Sequence, residues 1–388
     1  MIAKAIIVVG LNYGDEGKGL VTDYYVNKNP NPIVVRFNGG QNAGHTVVDK
    51  NLASHVFSNF GSGTLRGAPT FWSQYCTFSP THFLDEFVSL DLMPKIYVSK
   101  YCPVTTHYDV LYNRAIEVAR GSARIGTTGV GFSATITRHC SFGVKLTVSD
   151  LSNLSSFSSK LAGVRAYYQN KLESDSGFNF SEFDHDSEDQ LFIDYISYLQ
   201  HLQDEKIVEF VDDERFLQKW DTCIFEGAQG ILLDATFGQK PYTTSSNTSS
   251  RNALEIIKRN SIVSPELCYV TRGYLTRHGG GPFSNSEISL KRNEFETNID
   301  NEYQGKFKTA PLDVSMLNYS IQCDNLFSAG LDKNLVITCL DQLPDHIPIQ
   351  LQNERTDIHV KSLSSQINET FRHVMYSHNR CSDFLESE

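Results

Sequence analysis

A glycine loop between an apolar strand and a helix, close to the N-terminus, constrains this chain more than any other feature. Residues 5–9, AIIVV, form an apolar run that stops at Gly10. The polar segment Leu-Asn-Tyr-Gly14-Asp15-Glu16-Gly17-Lys18-Gly19 follows, and then Leu20, Val21, Tyr24 and Tyr25 recur at helical spacing. That pattern predicts a strand, a loop and a helix opening near Gly17. A loop so placed turns backbone N–H groups and the positive end of a helix dipole toward an anion. A second apolar strand, 33–37, runs into another glycine loop, Asn38-Gly-Gly-Gln-Asn42-Ala43-Gly44-His45-Thr46. Further strands are expected at 96–100, 223–227 and 336–341, and helices at 81–93 and 107–120. Continuous apolar strands alternating with helical patterns predict an α/β fold with a mainly parallel, buried central sheet. Ligands in such sheets gather at the carboxyl ends of the strands.

The first loop departs from a Walker A motif in two places. Lys18 follows Gly17 as expected, but the upstream glycine is out of place for G-x4-G-K. Gly19 stands where a Mg2+-binding Ser or Thr belongs. Asp15 and Glu16 lie inside the loop, where an acid repels phosphate unless it holds Mg2+ or takes a proton from a substrate. His45 in the second loop is suited to proton transfer near neutral pH.

With 34 basic and 45 acidic side chains, the formal charge is -11. This argues against nucleic acid or a membrane surface as partner, though not against a small phosphorylated ligand. The N-terminus is not read as a signal peptide, and no stretch reaches the length of a membrane span. Eight cysteines are dispersed with no C-x-x-C pair, so a reducing, cytoplasmic setting without structural zinc is expected. The acidic segment 173–190 reads as a solvated surface loop or insertion. No repeat or linker stands out, so one elaborated domain over 1–388 is expected.

GDEGKG and NAGHT together resemble adenylosuccinate synthetase. IGTTGVGF at 125–132 is similar to that family's threonine loop, and FEGAQGILLDATFGQKPYTTSSNTSS at 225–250 is the most specific stretch. TRHGGGPF at 276–283 and VITCLDQL at 336–343 follow in family order, and YSHNRCS at 376–382 is a weaker likeness. The resemblance implies a P-loop-like sheet flanked by helices, with helical and small β insertions. It implies a ligase of purine synthesis that joins L-aspartate to C6 of IMP using GTP and Mg2+, through a 6-phosphoryl intermediate. A homodimer is also implied.

Removing the N1 proton puts negative charge on O6 of hypoxanthine, so Asp15 is the expected general base. Lys18 and Mg2+ flank the transferred phosphoryl, with Asp15 and the Gly44 carbonyl as metal contacts. His45 stabilises that phosphoryl oxygen. Matched residue by residue, Gly14, Glu16, Gly17, Gly19, Gly44 and Thr46 join the GTP site, with Asp341 reading guanine and Ser377 beside it. Asn42, Ala43, Thr128, Gln229 and Thr244 join Asp15, Gly44 and His45 at IMP, and Gln229 also counts as catalytic. Arg138 is the candidate to reach a neighbouring subunit's IMP phosphate.

The chain also departs from the family. It is shorter than the usual form of over 400 residues, and Cys339 stands where a lysine commonly stacks on guanine. Segment 300–313 replaces an arginine-rich loop, leaving Lys306 and Lys308 as the aspartate contacts; lysine supplies a point charge rather than a fork. Two alternatives remain open: a phage-type sister ligase acting on dGMP with ATP or dATP, and a non-catalytic GTP-binding switch.

Overall fold

The computed structural model describes residues 4–141, 143–212, 214–284, 288–291, 305–352 and 354–387. The chain opens with β1 (Lys4–Gly10), α1 (Lys18–Lys28), β2 (Pro32–Arg36) and a hairpin of β3 (His45–Val48) and β4 (Ser54–Phe57). β5 (Thr70–Trp72), α2 (Pro80–Ser89), β6 (Ile96–Ser99), α3 (His107–Arg120) and α4 (Phe132–His139) follow. Two long helices, α5 (Leu154–Ser176) and α6 (His185–Asp204), lead into β7 (Val208–Val211) and β8 (Thr222–Gly230). Then come α7 (Arg251–Arg259), β9 (Val263–Arg272), β10 (Leu275–Arg277), β11 (Lys308–Ala310), β12 (Leu312–Asp313) and α8 (Val314–Ser328). β13 (Asp332–Thr338), β14 (His346–Leu351), β15 (Glu354–His359), β16 (His373–Tyr376) and β17 (Glu386–Ser387) complete the order.

Among the described residues one sheet runs β17-β16-β13-β9-β1-β8-β2-β5-β6-β7. Its pairs are parallel except β16 with β17. β1 shows why its apolar run is unbroken. Ile7 and Val9 face a core with Phe225, Tyr269, Ile256 of α7 and Leu317 of α8. Ile6 and Val8 face the opposite core, with Ile224, Val270 and Leu20 and Val21 of α1. Alternate side chains point to opposite faces, and helices cover both. The carboxyl ends of β1, β2, β8, β9 and β13 therefore meet at one edge, with Gly10 registered against both Gly230 and Val270.

A separate core gathers α2, α3, α5 and α6 against β5–β7. Here the expectation for 173–190 is corrected in part. The acidic stretch lies largely at the surface, as expected, but most of it is the ends of two helices rather than a loop. Gly177 closes α5 in a left-handed conformation, and the Asp184 side chain caps α6 by accepting the Ser187 N–H. Phe180, only 3% exposed, packs on Phe183 and Tyr108. Its acids serve caps and pairs, since Asp189 accepts the Tyr108 hydroxyl at 2.8 Å. Composition hid the buried aromatics.

Arg138 is a second correction. It is fully buried within its own subunit, with Nε 2.9 Å from Asp109 Oδ1 and both terminal nitrogens donating to the Val104 and Val144 carbonyls. Asp109 also accepts the Tyr168 hydroxyl and the Thr106 N–H. Such a side chain braces α3 against α4 and cannot reach a neighbour. Arg138→Met is expected to destabilise the fold by about 3–5 kcal/mol, because it strands the Asp109 carboxylate. Urea unfolding measures this; a loss below about 1 kcal/mol would contradict the bracing role.

Candidate active site

The cleft at the sheet's carboxyl edge is lined by both glycine loops, the threonine loop, the end of β8, residues 242–244, Arg272, Arg277, His278 and the turn after β13. In the first loop Gly14, Asp15 and Gly17 all have positive φ, of 99°, 60° and 86°. Aspartate is among the few side chains that tolerate this region, and such strain clusters at functional sites. The strained turn leaves Asp15 in the cleft, its side chain 30% exposed, with Oδ2 3.6 Å from His278 Nε2. Arg272 Nε donates to the Asp15 carbonyl, and Thr338 Oγ1 donates to the Glu16 carbonyl at 2.6 Å. Burial lifts the Asp15 carboxyl above its ordinary range, with Arg272 and His278 pulling against it.

Glu16 points the other way. It is 1% exposed, and Oε1 accepts the Asn12 and Gly14 N–H groups at 3.0 and 2.9 Å. Lys18 Nζ donates to its Oε2 at 2.5 Å. Its carboxylate therefore holds the loop's shape and the lysine, and only its backbone is left for a ligand. This also explains Gly230, where a Cβ would overlap the Asn12 carbonyl oxygen and the Glu16 carboxylate.

The second loop is clamped to β8 through Asn38, which donates to the Ala228 carbonyl and accepts its N–H, both at 2.8 Å. Beyond this clamp, Asn42 Oδ1 and Gln229 Oε1 are buried without a partner, although both residues line the cleft. Unsatisfied buried acceptors in a cleft are ready for ligand donors. His45 opens β3, is 6% exposed, and has Nδ1 2.8 Å from Glu226 Oε1. That contact leaves Nε2 as the nitrogen available to the cleft that His45 lines.

Sequence reasoning assigned Glu226 no role. A carboxylate inside the apolar run CIFEG was the available signal. Burial alone would raise its pKa, but His45, Arg36 and the Ser62 hydroxyl hold it down to about 2, against an ordinary 4.5. The stability it contributes is fully present above 4.5 and is lost as pH falls through about 2. That term is on the order of 3 kcal/mol. Unfolding free energies measured between pH 5 and pH 2 should fall more steeply in wild type than in Glu226→Gln; equal slopes would contradict the assignment.

Gly44, Thr46, Thr128 and Thr244 line the same cleft, as does Ala43. Asp341 and Ser377 lie at its far wall. There Cys339 has a φ of 57° and opens a single 3-10 turn, Leu340–Gln342, whose Leu340 N–H donates to the Ser377 carbonyl at 3.1 Å. β13 thus ends at Thr338, before the expected 341. Lys308 lies on β11 and donates to the Gly279 carbonyl at 2.7 Å. Lys306 is exposed, and neither lysine lines the cleft itself. Residues 300–304 of the expected aspartate segment lie outside the described residues. Arg272, Arg277 and His278 were missed; two of them sit in the TRH tripeptide, quoted above without a role.

A sequence profile of the adenylosuccinate synthetase family matches residues 7–377. The adenylosuccinate synthetase of Tolumonas auensis is 32% identical over 296 residues, covering 73% of this chain and 65% of that protein. The Thermoplasma volcanium enzyme of that name is 28% identical over 372 residues, covering 93% and 82%. Among solved structures, fully ligated adenylosuccinate synthetase from Plasmodium falciparum superposes with a TM-score of 0.76 at 20% identity over 98% of both chains. The succinoaminodeoxyadenylate synthetase of cyanophage S-2L, bound to dGMP and dATP, gives 0.65 at 14% identity over 100% of this chain and 95% of that one. At these identities the two structures speak for the fold, which is the α/β fold expected above.

Proposed function

Since the chain belongs to the adenylosuccinate synthetase family, we propose that its cleft joins L-aspartate to C6 of IMP, converting GTP to GDP and phosphate. The observation that carries this reading is the pairing of Asp15, strained into the cleft by its own loop, with His45 of the second loop, which Glu226 of β8 holds through Nδ1. Asp15 takes the N1 proton of IMP, and O6 gains the charge it needs to attack the γ-phosphorus of GTP. A carboxyl lifted above its usual range is the better matched to that proton. His45, oriented through Nδ1, presents Nε2 to the phosphoryl oxygens. Lys18 leaves Glu16 to meet them as well. The aspartate amine then displaces phosphate from C6, and the proton it loses leaves with the solvent.

Mg2+ fits the donor set. Among the described residues no three His, Cys, Asp or Glu side chains form a metal cage. Mg2+ characteristically uses one or two carboxylates together with substrate phosphates. Asp15 and the Gly44 carbonyl would hold it, where it would neutralise charge on the transferred phosphoryl. Asp341 reads guanine, with Ser377 beside it. A homodimer remains part of this reading, with some residue other than Arg138 crossing between subunits.

The test is turnover of purified protein with aspartate and Mg2+, crossing IMP or dGMP with GTP or ATP, and identifying products by mass. Adenylosuccinate from IMP and GTP is the expected product. Turnover of dGMP in place of IMP, or of neither, would overturn the reading.

A further inference from the structure

Among the described residues, one cation in the cleft, Arg277, has no anionic counterpart. Arg277 ends β10 and stands directly opposite Lys308 in the β10–β11 ladder. Like charges directly opposite weaken a strand pair. Arg277 is 3% exposed, its Nε has no partner, and Nη1 donates to the Pro282 carbonyl at 2.9 Å. The guanidinium lies 4.2 Å from the centre of the Tyr13 ring. Lys308 donates to the Gly279 carbonyl. Among the described residues neither cation has an acidic partner. Gly281, with a φ of 102°, leaves the room the guanidinium occupies, since a Cβ there would overlap it. Burial lowers the pKa of both groups, and the Arg277 charge lowers that of Lys308 further. Buried charges are normally paired, so this arrangement is suited to an incoming anion.

Position says which anion. Arg277 stacks on Tyr13, two residues before the proposed base, and the next residue, His278, faces Asp15 at 3.6 Å. The cation pair therefore adjoins the N1–C6 edge of the acceptor, not the opposite end that carries the 5′-phosphate. An amino acid attacking C6 brings its carboxylates to that edge. We propose that Arg277, with Lys308 opposite, receives a carboxylate of L-aspartate, supplying the planar fork that lysines lack. This rests on the ligase reading above.

The test uses the full chain. Calorimetry follows L-aspartate binding in the presence of IMP and GDP, and initial rates give each KM. Arg277→Gln should weaken aspartate binding and raise its KM at least about 30-fold, leaving KM for IMP and GTP within about twofold. Arg277→Lys, which keeps charge without the fork, should fall between. An unchanged KM for aspartate, or a rise confined to IMP, overturns the proposal. So does a wild type that binds no L-aspartate. If Arg277→Gln does not fold, Arg277→Lys decides alone by the same criterion. An inactive wild type that still binds aspartate through Arg277 removes the reaction and keeps the subsite. An active wild type whose Arg277→Gln form handles aspartate normally removes the subsite and keeps the reaction.

Discussion

Asp15→Asn should lower kcat by about a thousandfold to ten-thousandfold at saturating substrates. Asparagine is nearly isosteric and, like aspartate, tolerates the φ of 60° that the loop imposes. The backbone contacts from Arg272 to the residue 15 carbonyl and from Thr338 to the Glu16 carbonyl do not involve the changed side chain. The substitution therefore removes the proton acceptor, weakens the proposed Mg2+ contact and leaves the loop. An amide cannot take the N1 proton, so O6 remains a weak nucleophile. Binding of IMP should change far less than kcat, because the loss falls on the transition state. Steady-state kinetics with a matched thermal-unfolding scan measure this. A folded Asp15→Asn protein retaining more than about a tenth of wild-type kcat would remove Asp15 as the base.

His45→Ala should cost about a hundredfold to a thousandfold in kcat. The ring sits where β3 begins, held through Nδ1 by a carboxylate that Ser62 and Arg36 also address. A histidine fixed on that side offers Nε2 to a phosphoryl oxygen without reorganising, which is how preorganised groups stabilise developing charge. Glu226→Gln then supplies a control. Its amide cannot hold Nδ1–H with the strength of a carboxylate, so kcat should fall by less than in His45→Ala while KM for GTP stays close to wild type. Equal kcat in His45→Ala and wild type would assign the ring a purely structural place.

Much of this was legible in the chain. Period and glycine placement predicted β1, the loop and α1, because a strand buried on both faces must be apolar throughout. The same logic predicted β2, β6, α3 and β8 close to their observed bounds. Asp15, Lys18 and His45 were identified because their residue types are out of keeping with a plain turn. Composition read 173–190 correctly as surface but missed its helix ends and the buried Phe180, because acids at helix caps resemble acids in a loop. The family resemblance misled at Arg138, whose partner Asp109 is remote in sequence and adjacent only once α3 and α4 pack.

Sequence by itself determined the local elements and the glycine loops, and named the residues proposed to act in each loop, since these depend on neighbours a few residues apart. Tertiary structure supplied the physical reason why the two adjacent acids part, with Asp15 the one already expected to act as base: Glu16 is drawn into its loop by Asn12, Gly14 and Lys18, and Asp15 is left in the cleft. It also brought Glu226 from β8 to His45 on β3, and set Arg277 against Lys308 across a two-stranded ladder. Such pairings depend on sheet order and register, which join residues far apart in the chain, and no local pattern encodes them.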